Sequence, residues 1–300
     1  MPRFEQIDSQ EKIPAPEKEK GLKIAYDSRP SERHPEHNED AILVLESQKA
    51  AGVFDGMGGH QGGEAAANLA RDYCFEALKT LPQDLSIKEA KESLEKILKE
   101  ADQMVSEAGQ EDPSDEKRGT TASLVKICED KELGRVAVIG NVGDSRVFIL
   151  HTDGILEQVT IDDSKILDVA EDESEARLMQ LNLSRATKKT ELTPIEEQLF
   201  ESREHITQCL GHGQAEPKIY LRNLNPGEKI IITSDGIHDN LTHQEISKII
   251  REVPNSQQAI NILINEALNR SQENGEYEGR HLRAKPDDMT AVIMDFNESR

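Results

Sequence analysis

The sequence has no tryptophan, and aromatic residues of all kinds make up only 3% of it. Any core it forms must rest on Ile, Leu, Val, Ala and Met. Cysteine is scarce as well. Cys74, Cys128 and Cys209 are odd in number, far apart and in no CxxC spacing, which argues against a disulfide framework or a structural zinc site and fits a reducing compartment. No run of about 18 apolar residues occurs, so no membrane span is expected. The opening MPRFEQIDSQEKIPAPEKEK has no apolar stretch of signal-peptide type, and the expected location is the cytoplasm. Positive charge is in deficit: 36 Lys and Arg face 58 Asp and Glu, for a formal net charge of -22. A field of that sign repels nucleic acid and anionic membrane surfaces, so neither is an expected partner. The acidity either serves solubility alone or conceals a cation site, and for most of the carboxylates a solvated surface is the simpler account.

What is present reads as one body behind a flexible lead-in. Residues 1–20 are charged, contain prolines and show no periodicity. From Gly21 onward short strand-like runs appear: LKIAYDS (22–28), AILVLES (41–47) and AAGVFDG (50–56). Gly62 to about Lys79 and Ser86 to Ala108 read as helices, the second with Ile87, Leu94, Ile97, Leu98 and Ala101 at helical spacing. TTASLVKI (120–127), RVAVIGNVG (135–143) and SRVFILH (145–151) read as an antiparallel meander. Residues 162–205 are the least regular part and are expected to form a flap-like surface insertion, with a basic RATKK patch at 185–189 that is either a docking strip or simply solvated. KIYLRNL (218–224), KIIITSDG (229–236) and DMTAVIMDF (288–296) are strands, and 243–253 and 256–272 are helices. The elements do not alternate βαβα, so a doubly wound parallel sheet is excluded in favour of two antiparallel sheets packed together with helix pairs outside.

Acidic residues recur at the ends of the apolar runs: Asn38-Glu39-Asp40 before one strand, Asp55-Gly56 after another, Asp235-Gly236 after a third, Asp287-Asp288 before the last, and Asp144 at a turn. A carboxylate at the mouth of an apolar strand is costly unless hydrated, hydrogen-bonded or bound to a cation. Taken singly, each is more simply a turn or cap residue. Taken together, converging carboxylates would repel one another, and hard oxygen-preferring cations such as Mg²⁺ or Mn²⁺ would relieve that repulsion. Glycines 58, 59, 62 and 63 are followed by no GK[ST], so a nucleotide P-loop is not expected.

The segments NEDA (38–41), VFDGMGGHQGGEAAA (53–67), GTTASLV (119–125), GNVGDSR (140–146), ITQCLGHG (206–213), IIITSDGIHD (230–239) and KPDDMTAVIM (285–294) together resemble the PPM-type, protein phosphatase 2C-like family. They occur in that family's order and cover about Gly21 to Phe296, so the phosphatase domain is expected over 21–297. The resemblance implies an α+β fold, a four-layer α-β-β-α sandwich. It implies hydrolysis of phosphoserine and phosphothreonine in proteins by a water activated between two divalent cations, Mn²⁺ or Mg²⁺. Asp55 matches the bridging aspartate, Gly56 the carbonyl ligand, and Asp235 and Asp287 the aspartates completing the first metal. Glu39 and Asp40 match the pair holding metal-bound waters, and Asp144 and Asp239 match residues that bind a third, weaker ion in some members. A monomer acting on phosphorylated proteins is expected. There are departures. Pro35 stands where many members carry a phosphate-gripping arginine, leaving Arg33, or more weakly His34 and His37, as candidates. Met57 stands where some relatives have a general-acid histidine, while His60 is read as helix-start packing. Asp288 stands where asparagine is usual, and it either tightens metal binding or caps a turn. Two other readings stay open, a catalytically dead metal-binding regulatory module and a phosphatase of small phosphometabolites.

Overall fold

A computed structural model of the chain describes residues 21–58, 61–110, 118–273 and 282–297. The lead-in 1–20 and His60 lie outside the described residues. In chain order the elements are β1 (Gly21–Arg29), β2 (Asp40–Leu45), β3 (Ala50–Met57), α1 (Gln61–Lys79), α2 (Ile87–Gln110), β4 (Gly119–Thr120), β5 (Ala122–Asp130), β6 (Gly134–Val142), β7 (Arg146–Leu150), β8 (Leu156–Gln158), α3 (Ile166–Val169), α4 (Glu173–Arg185), α5 (Pro194–Glu201), β9 (Lys218–Leu224), β10 (Lys229–Thr233), α6 (Asp235–His238), α7 (His243–Glu252), α8 (Ser256–Ser271) and β11 (Met289–Asn297). One sheet runs β1-β11-β10-β7-β8 and the other β2-β3-β5-β6-β9, with β4 paired to β3. Every pairing is antiparallel.

The period-2 geometry of a strand sends alternate residues to opposite faces, and here both faces are covered. Ile230 and Ile232 join Val53, Val125, Ile139, Val147 and Val292 in a core between the sheets. Ile231, Phe148 and Ile293 face the other way, onto α7 and α8. Phe54, Leu43 and Leu124 face α1 and α2. The layers are therefore helix pair, sheet, sheet, helix pair, as expected. Aliphatic side chains and alanine, with a few phenylalanines, fill them, and the helix starts are fixed by local chemistry: Thr242 and Glu245 form a reciprocal cap at α7, and Asn255 accepts from Gln258 N at α8.

One expectation is corrected. β5 and β6 pair as a hairpin, but β7 does not extend the meander; it crosses to the other sheet and pairs with β10 and β8. The cause is the three-residue corner between β6 and β7. Gly143 has a φ of 92°, a conformation that favours glycine. Its N–H goes to Asp163 Oδ2 at 2.9 Å instead of a ladder, while Ser145 is held by Thr121 Oγ1 at 2.7 Å. Asp144 is thereby set at the junction of the two sheets.

The 162–205 segment carries α3, α4 and α5, and its Ile166, Ala176, Leu183, Leu199 and Phe200 form a small core with Ile161 just before it. In the RATKK patch, Lys189 pairs with Glu197 and Glu201 of α5, so part of that basic strip is already matched.

At the far end of β7, His151 Nδ1 lies 2.6 Å from Glu228 Oε1 and its Nε2 3.0 Å from Glu157 Oε2. Burial pulls the imidazolium down, but the hydrogen bonds and charges of the two glutamates outweigh it and its pKa is raised. A raised folded pKa stabilises fully below the unfolded value of about 6.5 and is lost as pH rises through the folded one. The deficit in Tm of His151→Gln relative to the parent is therefore expected to be largest near pH 5.5 and to shrink above pH 8. Thermal melts across that range check it, and a deficit that grows with pH contradicts it.

Candidate metal centre

Strand register brings the acidic segments to one end of the sandwich. Asp40, first residue of β2, lies directly opposite Asp55 near the end of β3. In the other sheet Thr233, last of β10, pairs with Ala291 near the start of β11 and with Arg146 at the start of β7. Asp235 follows β10, Asp287 and Asp288 precede β11, and Asp144 precedes β7, so all of them collect at that edge. Ser234 joins the two sheets there, its Oγ donating to Asp40 Oδ2 at 2.8 Å. The Asp55 backbone is clamped by Thr121, whose Oγ1 accepts from Asp55 N at 3.0 Å and whose N donates to Asp55 O at 2.8 Å. Gly56 is packed so closely that a Cβ would run into the Gly63 carbonyl and come within 2.6 Å of Glu39 O. A glycine is needed for the backbone to enter that space.

The assembled carboxylates are short of compensation. Burial pushes Asp55 well above the usual carboxylate range, and the charges of Asp40, Asp235, Asp287 and Asp144 push it further. Asp40 and Asp144 are raised in the same way, burial first. Burial lifts Asp235 to about 7 against the opposing pull of Lys285, and burial with Asp288 lifts Glu39 to about 7. Three of the buried oxygens, Glu39 Oε1, Asp40 Oδ1 and Asp235 Oδ1, have no hydrogen-bond partner among the described residues. Buried carboxylate oxygens left bare are costly, and an all-oxygen donor set of this kind suits a hard dication. The residues present therefore fit Mg²⁺ or Mn²⁺.

The family model for protein phosphatase 2C matches residues 27–275. The chain belongs to the protein phosphatase 2C family. Among relatives, it is 25% identical over 259 residues to the serine/threonine protein phosphatase PstP of Mycobacterium tuberculosis, covering 86% of this chain and 42% of that protein. The chain thus spans less than half the length of that relative. It is 24% identical over 236 residues to the serine/threonine phosphatase stp of Listeria innocua, covering 77% of this chain and 84% of that one. The solved catalytic domain of PstP in complex with two manganese ions shares the fold, with a TM-score of 0.67 and 22% identity over 91% of this chain and 97% of that one. No helix among the described residues is long and apolar enough to cross a membrane.

Against the protein phosphatase 2C pattern, the departures take definite places. Asp288 is a buried cap: its Oδ1 accepts from Ser31 N and its Oδ2 from Glu39 N, each at 2.6 Å. It ties β11 to the loop that presents Glu39. His34 Nδ1 lies 2.9 Å from His37 O and 3.6 Å from Asp288 Oδ1, and His37 meets Glu64 at 3.4 Å. His34, Glu39 and Asp288 are the one trio among the described residues whose ligand-type atoms all lie within 4.8 Å of one another. Both Asp288 oxygens accept from backbone amides, so within that trio the carboxylate already serves to cap the loop. Arg33 is exposed on the same loop, and its guanidinium makes no polar contact among the described residues. Met57 is half-buried at the end of β3.

Sequence reasoning missed Lys285. Its ammonium pairs with Asp235 Oδ2, with Asp287 Oδ2 at 3.1 Å and with Asp239 Oδ2 at 3.3 Å. Asp239 is also held by Arg203 Nε at 3.0 Å. Although burial raises Asp239, Lys285 and Arg203 outweigh it and hold the carboxyl well below the usual range. Also missed was Arg283, fully buried, which donates to Leu183 O and Ala186 O of the insertion and to His238 O beside Asp239. A lysine one proline away from two aspartates reads in sequence as a solvated ion pair, so the only signal for Lys285 was the apolar strand beyond them.

Proposed function

We propose that the chain is a divalent-cation-dependent phosphatase that hydrolyses phosphoserine and phosphothreonine in proteins. The observation that carries this reading is the set of bare, buried oxygens on Glu39, Asp40 and Asp235, of which those on Asp40 and Asp235 lie in the field of Asp55. Family membership supports the reaction class, and the relatives named as serine/threonine phosphatases support the substrate class. Asp55 would serve both ions, Asp235 and Asp287 would complete the first, the Gly56 carbonyl would be a further ligand, and Glu39 and Asp40 would hold the waters around them. When bound, two such cations lower the pKa of water toward neutrality and neutralise phosphoryl oxygens.

The protein's own part is positioning. Ser234 fixes one oxygen of Asp40 and leaves the other turned inward. Thr121 and Gly56 fix the backbone on either side of Asp55's carboxylate. Asp288 holds the Glu39 loop. Arg33, exposed on that loop, is the side chain we assign to the substrate phosphate, in place of the arginine absent at Pro35. A cytoplasmic setting is supported by three free, buried cysteines, whose thiols burial pushes up and keeps unreactive.

Chelation tests the reading. Protein stripped with EDTA is expected to lose turnover of phosphoserine and phosphothreonine peptides, and Mn²⁺ or Mg²⁺ to restore it, with a phosphotyrosine peptide turned over more slowly. Activity that survives exhaustive chelation contradicts it. One observation, Lys285 among three of the carboxylates, favours instead a metal-binding module without turnover. Stoichiometric Mn²⁺ binding with no release of phosphate would decide for that alternative.

A further inference from the structure

We infer that the Lys285 ammonium takes the place of a third metal ion in this chain, so that the centre holds two dications and one built-in cation. The inference rests on the assignment of Asp55, Asp235 and Asp287 as ligands.

The residues that the resemblance offers for a third ion are Asp144 and Asp239, and Asp239, without which the pair is incomplete, is already taken here. Asp239 Oδ2 is already engaged by Lys285 at 3.3 Å and by Arg203 at 3.0 Å. A carboxylate flanked by two cations keeps little net negative charge with which to draw a dication out of water, which holds it well. Asp144 stands within the field of the same ammonium.

Lys285 is not a surface side chain that happens to reach inward. Its side chain is 14% exposed. Its backbone is gripped on both polar atoms by the amide of Asn240: Lys285 N donates to Asn240 Oδ1 at 3.0 Å, and Asn240 Nδ2 donates to Lys285 O at 2.8 Å. Asn240 is itself fully buried and also donates to Gly236 O at 2.9 Å, one residue after Asp235. The lysine and the aspartate it pairs with are thus referenced to the same asparagine.

The pairing also divides the oxygens of Asp235. Its Oδ2 goes to Lys285 and its Oδ1 is left bare. Asp235 Oδ1 therefore remains for a metal while Oδ2 is held by the ammonium, which lets Lys285 coexist with an ion at Asp235. Lys285 is accordingly a positioning residue: it orients Asp235 and Asp287 and supplies the positive charge that a third ion would otherwise bring.

Equilibrium dialysis against Mn²⁺, followed through millimolar free ion, tests this without reference to turnover. The parent protein is expected to saturate at two ions per chain. Lys285→Met is expected to take a third, weaker ion, which Asp239→Asn in the same background removes. Lys285→Arg, which keeps the charge, is expected to stay at two. A third ion on the parent protein overturns the inference, whatever the variants do. So does a Lys285→Met protein that melts cooperatively and still stops at two. Fewer than two ions on the parent, with Asp55→Ala binding equally well, overturns instead the ligand assignment on which the inference stands.

Discussion

Asp55→Ala is expected to abolish hydrolysis of p-nitrophenyl phosphate while leaving a folded protein. The loss in kcat should exceed the ~10²–10⁴ that acid–base side chains supply, because the residue holds the cations and not merely a proton. The fold should survive because Asp55 contributes to it through its backbone, by the two Thr121 hydrogen bonds and the β2 register, neither of which needs the carboxylate. In the metal-free protein the side chain is in fact unfavourable. Its pKa is raised by burial and four acidic neighbours. A carboxyl raised in the folded state destabilises it progressively as pH climbs from the unfolded value of about 4 through the folded one. EDTA-treated Asp55→Asn is therefore expected to melt above the parent at pH 7 and close to it at pH 4. With excess Mn²⁺ the order should reverse, since only the parent gains the full stabilisation of ligand binding. Circular dichroism melts and steady-state assays on the same preparations check both halves. A folded Asp55→Ala protein with normal kcat would remove Asp55 from the centre.

How far the sequence foretold this depends on the kind of information each residue carries. That Asp40 and Asp55 each flank an apolar run was legible; their direct pairing follows from the short link between the two runs, which makes antiparallel β2 and β3 the economical outcome. The four layers were legible from the order of elements. The destination of β7 was not: Val147 and Ile149 face the inter-sheet core and Phe148 the helices, and a strand apolar on both faces carries the same pattern in either sheet. The insertion looked irregular because its helices are short and acidic. Their start signals were present, however, in Asp172 accepting from Glu175 N and in Thr193-Pro194 followed by Glu196. Asp288 was legible as an added charge, but its two backbone partners, Ser31 and Glu39, lie some 250 residues away in sequence and follow only from the tertiary fold. Lys285 and Arg203 belong to the same class. Both converge on Asp239 from distant segments, and no local pattern announces that a lysine has been turned inward.

Gly236→Ala is expected to do the opposite of what helix propensity alone would predict. Gly236 is the second residue of α6, where alanine is ordinarily favoured over glycine by about 1 kcal/mol. Here a Cβ would drive into the carbonyl oxygen of Asp288 and crowd Met289 Cγ at 3.3 Å. That carbonyl cannot retreat freely. The Asp288 side chain is anchored to Ser31 N and Glu39 N, and the next strand residues are locked to the segment before α6 by Ser234 N to Thr290 O at 3.1 Å and Thr290 N to Ser234 Oγ at 3.0 Å. The added methyl must push α6 away from the start of β11, which separates Asp235 from Asp287 and strains the Glu39 loop. Overpacking of this kind costs ~1–3 kcal/mol. Displacing groups that orient metal ligands weakens metal affinity about 10–100-fold. Urea unfolding of the metal-free protein and calorimetric Mn²⁺ titration separate the two losses. If α6 packs against β11 as described, both fall together; a variant that is more stable than the parent and binds Mn²⁺ equally well would mean that Gly236 faces open space and that Asp235 and Asp287 are not braced through this contact.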